Sequence, residues 1–82
     1  MIITWKCEFC FQYISESQEY LLAGIPGLPE WIQPRAALRA LKVTHIMNKH
    51  SDNRRARELI IQIGNEANED FKKALGALMK SP

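Results

Sequence analysis

The two cysteines and the two histidines, which are the only residues of their kinds in the chain, constrain the fold most. Two residues lie between Cys7 and Cys10, and four lie between His45 and His50. Two thiolates and two imidazoles form a common ligand set of structural zinc sites, and a Cys-x2-Cys turn lets both sulfurs face one ion. A chain of 82 residues buries a small core and gains stability from such a staple. The sequence therefore predicts a structural zinc site at these four residues.

The rest of the chain predicts an α+β fold that is mostly α, in which a short N-terminal β-hairpin zinc knuckle packs on three helices. Residues 2–14 alternate and are rich in β-branched and aromatic residues, which favours two short strands joined by the Cys7–Cys10 turn. Ser15 and Gln18 have the spacing of a capping box, with Ser15 as the N-cap. A short helix then covers residues 19–22, and Gly24 is its expected stop.

Two further helices fill the rest of the chain. Pro34 suits a first helical turn, so the second helix is predicted from about Gln33 to His50. The last helix is predicted from near Asn53 to about Met79, since its apolar residues keep helical spacing through Gly64. A helix of that length spans about 40 Å. We therefore expect either a bend near Gly64 or burial of part of its apolar face by a partner.

The composition is that of one folded domain covering residues 1–82. It is 46% hydrophobic and 24% charged, which argues against disorder. No apolar run approaches the length of a membrane span, and the first residues lack the pattern of a signal peptide. We expect a cytoplasmic protein that does not associate with membranes. In that compartment paired cysteines are more often metal ligands or redox groups than disulfides.

Positive charge is concentrated in the middle of the chain. Residues 35–57 contain seven basic residues and one acid, Asp52. The basic residues of the second helix share one stripe with Ile46, and Ala37, Ala40, Leu41, Val43 and Met47 lie around the other side. Phosphate contacts from such residues supply most non-specific affinity for nucleic acid. The predicted nucleic-acid-binding residues, with DNA favoured over RNA, are Arg35, Arg39, Lys42, Lys49, Arg54, Arg55 and Arg57.

The ligand order resembles that of the two-Cys two-His zinc fingers, in which a hairpin knuckle packs against a helix carrying His-x3–5-His. Trp5 stands two residues before the first cysteine, where that family has an aromatic residue, and Ile14 stands at its core phenylalanine position. The resemblance implies a zinc ion between hairpin and helix. Two departures are clear: 34 residues separate the two pairs, where the family has about twelve, and Lys42 stands where the family usually has leucine.

The spacing of the histidines leaves alternatives open. On a regular helix His45 and His50 lie about 140° apart, so the last turn must loosen or tighten near Asn48 and Lys49 for both to reach one ion. The alternatives for the cysteines are a redox pair and burial as core residues. The alternative for His50 is a cation at the C-terminus of the helix.

The chain predicts a binding module and not an enzyme. A site closed by four protein ligands lacks the open position that hydrolytic zinc needs, and it leaves neither histidine as a base. A comparison with the HNH nucleases fails, because those enzymes have a histidine on a strand ahead of the helix and this chain lacks that element. The predicted function is a regulator that binds nucleic acid through the basic helical face. The alternative is an inhibitor or adaptor that binds a protein partner, or a second copy, through residues 56–79.

Overall fold

The computed structural model describes residues 1–25 and 27–80, with side chains through residue 77. It confirms the predicted α+β, mostly α architecture, in which a two-stranded N-terminal hairpin packs on three helices. The elements in chain order are β1 (Ile2–Lys6), β2 (Tyr13–Ser17), α1 (Gln18–Leu21), α2 (Gln33–Lys49) and α3 (Arg54–Lys80).

The hairpin is antiparallel and encloses the two cysteines in its turn. The register pairs Lys6 with Tyr13 at the turn and Ile2 with Ser17 at the open end. The Cys7 N–H donates to the Gln12 carbonyl at 2.9 Å, and the Phe11 N–H donates to the Cys7 carbonyl at 2.8 Å. Phe11 has a φ of 62°, a left-handed conformation that lets the chain fold back tightly after Cys10.

The short helix begins and ends differently from its prediction. Ser15 lies inside β2, with its hydroxyl 2.9 Å from that of Thr4, so its assignment as an N-cap is wrong. Ser17 caps the helix, because its Oγ accepts a hydrogen bond from the Tyr20 N–H at 3.1 Å. The C-cap is Leu22, two residues before the predicted stop at Gly24. The helix begins later than the local capping pattern indicated, because the pairing of β2 with β1 continues to Ser17.

The two long helices form an antiparallel pair close to the predicted bounds. Pro34 lies in the first turn of α2, and His50 is its C-cap. The side-chain oxygen of Asn53 accepts hydrogen bonds from the N–H groups of Arg55 and Ala56, at 2.9 and 3.2 Å, which caps the start of α3. As predicted, α3 runs through Gly64 as one helix.

Helix α2 is central and is buried on two sides, so its description as one basic and one apolar face is wrong. On the hairpin side Ala37 and Leu41 form a cluster with Ile3. On the α3 side Ile46 is fully buried, although the periodicity put it on the basic stripe, and Met47 from the opposite side is 61% exposed. Because α2 contacts two different elements, its exposed surface is narrower than that of a helix that packs on a core with one face only.

The connection into α2 reaches the core through Ile32. This residue is 4% exposed, whereas its neighbour Trp31 is 46% exposed. Among the described residues, no helix is both long and apolar enough to cross a membrane.

Candidate metal centre

The hairpin turn and the end of α2 bring the four predicted ligands together. The sulfur of each cysteine and a ring nitrogen of each histidine all lie within 4.8 Å of one another. The two cysteines are not joined by a disulfide. Cys7 is fully buried, and Cys10, His45 and His50 are half-buried. The predicted convergence of residues 35 or more positions apart in the chain is therefore confirmed.

Three of the distances between ligand atoms match those of a tetrahedral S2N2 site. The Cys7 Sγ lies 3.5 Å from the His50 Nε2, the Cys10 Sγ lies 3.4 Å from the His45 Nε2, and the two Nε2 atoms are 3.2 Å apart. Tetrahedral zinc with ordinary Zn–S and Zn–N bonds requires S···N separations of about 3.5 Å and an N···N separation of about 3.3 Å. The donor atoms are arranged to hold one small ion with little further movement.

His50 meets His45 because it leaves the helix. Its φ and ψ are −132° and 25°, although its N–H still bonds to the Ile46 carbonyl at 2.8 Å. The sequence predicted a distortion near Asn48 and Lys49, and the structure places it one residue later, at the C-cap. This change of direction removes the angular mismatch of a regular helix and brings the two rings to 5.0 Å between centroids.

The surroundings of His45 favour metal binding by this residue. Burial, and then the neighbouring positive charges of His50 and Lys49, lower the pKa of His45 below its ordinary value of 6.5. His45 is therefore neutral at pH 7 and can offer a lone pair at Nε2.

Aromatic rings and a backbone amide surround the ligands. The Phe9 N–H donates to the Cys7 sulfur at 3.4 Å, a contact that stabilises a thiolate. The Phe9 ring lies 5.5 Å from the His50 ring, and the Trp5 ring lies 5.9 Å from the His45 ring. These contacts help to hold the two imidazoles in place.

The seven predicted nucleic-acid-binding residues lie in two different environments. Arg35 and Arg39 contact the same carboxylate, that of Asp70, at 3.3 and 2.8 Å. The Arg39 side chain is 11% exposed, and the Lys42 ammonium lies 5.9 Å from the centre of the Trp5 ring. Most of the predicted stripe on α2 is thus engaged in contacts within the chain.

The other four basic residues are exposed around the turn between α2 and α3. Arg54 pairs with Glu58 at 3.6 Å, and Arg57 donates to the Ser51 carbonyl at 3.1 Å. The exposed set is Lys49, Arg54, Arg55 and Arg57. Binding of nucleic acid by the seven residues stays a prediction.

Asp70 is an important residue that the sequence analysis missed. It is 2% exposed, and its contacts to the two arginines are ion pairs without the alignment of hydrogen bonds. A signal was present, since Ala56, Ile63 and Asp70 are seven residues apart on one side of α3, and the first two are buried. A carboxylate in that row needs a cationic partner.

A second feature, also missed, is an apolar groove between α2 and α3, closed at one end by the connection before α2. We call it the α2–α3 groove. Its volume is about 490 Å³. The residues that line it are Ile25, Leu28, Pro29, Ile32, Ala36, Arg39, Ala40, Val43, Ile60, Ile63, Gly64, Ala67, Asp70, Phe71 and Ala74.

Comparison with protein-family models, with curated proteins and with solved structures found no match.

Proposed function

We propose that this chain is a non-catalytic, zinc-stabilised module that binds a helix of a partner protein in the α2–α3 groove. The observation that carries the proposal is the groove itself, where Ile25 and Phe71 remain 49% and 66% exposed beside a largely apolar wall. Apolar grooves on a protein surface are a common form of protein-interaction and ligand-binding site.

Zinc is the ion that best suits the four ligands. A tetrahedral set of two thiolates and two imidazoles favours zinc, whereas magnesium and calcium prefer oxygen ligands. Four protein ligands close the coordination sphere, so the ion acts as a staple and neither histidine is left as a base. Thiolate ligands require reduced cysteines, so the proposal includes a reducing location such as the cytoplasm.

The walls of the groove match a helical occupant. Ala36 and Ala40 from α2 and Gly64 and Ala67 from α3 all line the groove, and these small residues allow a third helix to approach closely. A Cβ built on Gly64 meets no atom within 4 Å. The space above Gly64 is therefore not used by this chain. Glycine inside a helix also costs about 1 kcal/mol of stability relative to alanine.

Gly64 and Gly76 provide a matched pair for the test. At about 100° per residue, Gly64 lies about 20° from Phe71 around α3, and Gly76 lies about 140° away. Gly76 likewise has no atom within 4 Å of a built Cβ. Gly64→Leu fills the groove, and Gly76→Leu makes the same change in helix propensity on another face of α3.

The experiment is a selection of displayed helical peptides on the zinc-loaded protein. We expect clones that bind the wild type and Gly76→Leu equally and bind Gly64→Leu at least tenfold more weakly. Circular dichroism and thermal melting establish that both variants are folded. If every selected clone binds Gly64→Leu as tightly as the wild type, the groove is not a binding site and the proposal is wrong.

A second candidate function is nucleic-acid binding at the turn between α2 and α3. It is favoured by the exposure of Lys49, Arg54, Arg55 and Arg57 beside the candidate metal site. Four phosphate contacts predict a slope of roughly −3.6 for log K against log salt on duplex DNA. Replacing Arg54, Arg55 and Arg57 with glutamine should reduce that slope by about three. A slope near zero for the wild type would exclude this candidate.

A further inference from the structure

The charges around the α2–α3 groove point to the chemistry of its occupant. Two charged residues line the groove, Arg39 and Asp70. Arg35 contacts the same carboxylate and keeps a side chain that is 53% exposed. Two guanidinium groups on one carboxylate leave a net positive charge at this end, near the start of α2.

A second cation lies near the other end of the groove. Arg57 is exposed and falls on the same side of α3 as the groove residues Ile60 and Gly64, since it is one turn before the first and two turns before the second. About 13 residues separate Arg57 from Asp70, which corresponds to about 20 Å along the helix. The groove is thus an apolar surface with a cation towards each end.

The acidic residues of α3 other than Asp70 are directed away from the groove. At about 100° per residue, Glu58, Glu66 and Glu69 lie about 140° or more from Phe71 around the helix. All three side chains are exposed. Apart from Asp70, which is paired with two arginines, the negative charge of α3 therefore lies away from the groove, and Arg35 and Arg57 lie towards its two ends.

We infer that the natural occupant is an amphipathic helix of a partner protein, with an apolar face for the groove and acidic residues on its flanks. This inference rests on the proposed function, and it adds the charge of the partner. Apolar anchors supply most of the affinity in helix-in-groove recognition, and complementary charges select the partner and its orientation. Acidic residues about 20 Å apart, roughly 13 positions on a helix, reach Arg35 and Arg57 together.

A second copy of this chain fits the groove less well. A symmetric dimer places the same patch of each copy against the other, which would bring two sets of Arg35 and Arg57 to one interface. Like charges facing each other oppose association. Nucleic acid is excluded as the groove occupant by the apolar lining, which offers a phosphate backbone little to bind.

The test uses three designed 18-residue helical peptides with one common leucine face and with flanks of glutamate, glutamine or lysine. Affinities are measured by fluorescence anisotropy on the zinc-loaded protein. We expect the glutamate peptide to bind about tenfold more tightly than the glutamine peptide, and the lysine peptide to bind most weakly. The differences should collapse in 1 M salt, where charges are screened beyond about 3 Å.

Variants of the protein test whether the preference for the glutamate peptide arises at the groove. Arg35→Gln and Arg57→Gln should each reduce the advantage of the glutamate peptide, since each removes one cation and leaves Arg39 paired with Asp70. Arg55→Gln is the matched control, because Arg55 lines a different cleft, beside Glu8 and Phe9. It should leave the advantage unchanged.

The outcomes separate this inference from the proposed function. Equal binding of the glutamate and glutamine peptides, both weakened by Gly64→Leu, keeps the groove as a helix-binding site and overturns the acidic preference. If every peptide binds Gly64→Leu as tightly as the wild type, or if no peptide binds at all, the proposed function is contradicted as well. If sedimentation shows that the wild type is a dimer and that Gly64→Leu is a monomer, the occupant of the groove is a second copy of this chain and not a partner protein.

Discussion

Two backbone irregularities bring the four ligand side chains together. Phe11 takes a left-handed conformation just after Cys10, and its side chain is 70% exposed, so no core packing explains that conformation. His50 departs from helical geometry at the C-cap of α2. A left-handed conformation costs about 1–2 kcal/mol for a residue with a side chain. A bound ion supplies energy that can offset this cost, because metal affinity contributes to folding.

Loss of one cysteine should remove the metal and lower the stability of the fold. We expect Cys10→Ser to reduce the zinc content from about one ion per chain to near zero, because a neutral hydroxyl replaces a thiolate ligand. Elemental analysis against protein concentration measures this. Gln12→Ser, an exposed change in the same turn, should retain the ion. Equal zinc content in wild type and Cys10→Ser would show that Cys10 is not a ligand.

The metal-free protein should lose stability as the pH falls below about 6.5. Burial, His50 and Lys49 lower the pKa of His45 from 6.5, so the unfolded state binds a proton at a higher pH than the folded state. Stability from this group is therefore complete above the unfolded pKa and decreases on acidification. Thermal melting at about pH 7.5 and about pH 5.5 tests this. A melting temperature that rises on acidification would contradict the assigned direction.

Helices α2 and α3 are held together by an ion pair as well as by apolar contacts. Ile46 and Ile63 are buried along the helix pair, and Asp70 contacts Arg39 and Arg35 near the start of α2. Because Arg39 is largely buried and Arg35 is half exposed, the Arg39 contact is the stronger of the two. Burial of an ion pair contributes less to stability than to selecting one alignment of the helices.

Asp70→Asn should destabilise the helix pair by about 3 kcal/mol, because it leaves the buried guanidinium of Arg39 without a counter-charge. Urea denaturation of the zinc-loaded protein measures the change in the free energy of unfolding. Glu69→Gln, an exposed change one residue earlier, should alter it by at most about 0.5 kcal/mol. Similar effects for the two variants would show that the ion pair does not hold the helices together.

At the scale of the whole molecule, the hairpin and the helix pair share few buried residues. The apolar cluster between them contains Ile3, Ala37 and Leu41, with Trp5 and Ile14 partly buried against it. The molecule is elongated, with extents of 48 × 26 × 18 Å. A core of this size provides little net stability, so we expect an ion held between the hairpin and α2 to have a large effect on the fold.

Chelation of the metal should lower the melting temperature by roughly 20 °C or more, since several kcal/mol are lost and each shifts the midpoint by about 4–8 °C in a domain of this size. Circular dichroism follows the transition with and without a zinc chelator. Added zinc should restore the original midpoint, and added magnesium should not. An unchanged midpoint after complete removal of zinc would show that apolar packing alone stabilises the fold.

The sequence alone determined the features that depend on local chemistry. Cys7, Cys10, His45 and His50 were identifiable because their residue types are rare in this chain and their spacings are those of metal ligands. The start of α2 at Gln33 and the start of α3 near Asn53 followed from the preferences of proline and of capping residues at helix starts. Such signals act within a few residues and need no knowledge of the rest of the fold.

The tertiary structure decided what depends on how elements face one another. Helical periodicity shows which residues share a side of α2, but it does not show that the hairpin and α3 cover two different sides, so Arg39 and Ile46 were assigned to the wrong environment. Strand pairing to β1 extended β2 past Ser15 to Ser17, which pairs with Ile2, against a local capping pattern. The burial of Asp70 and the α2–α3 groove likewise come from contacts between distant residues, whose energies no local sequence pattern contains.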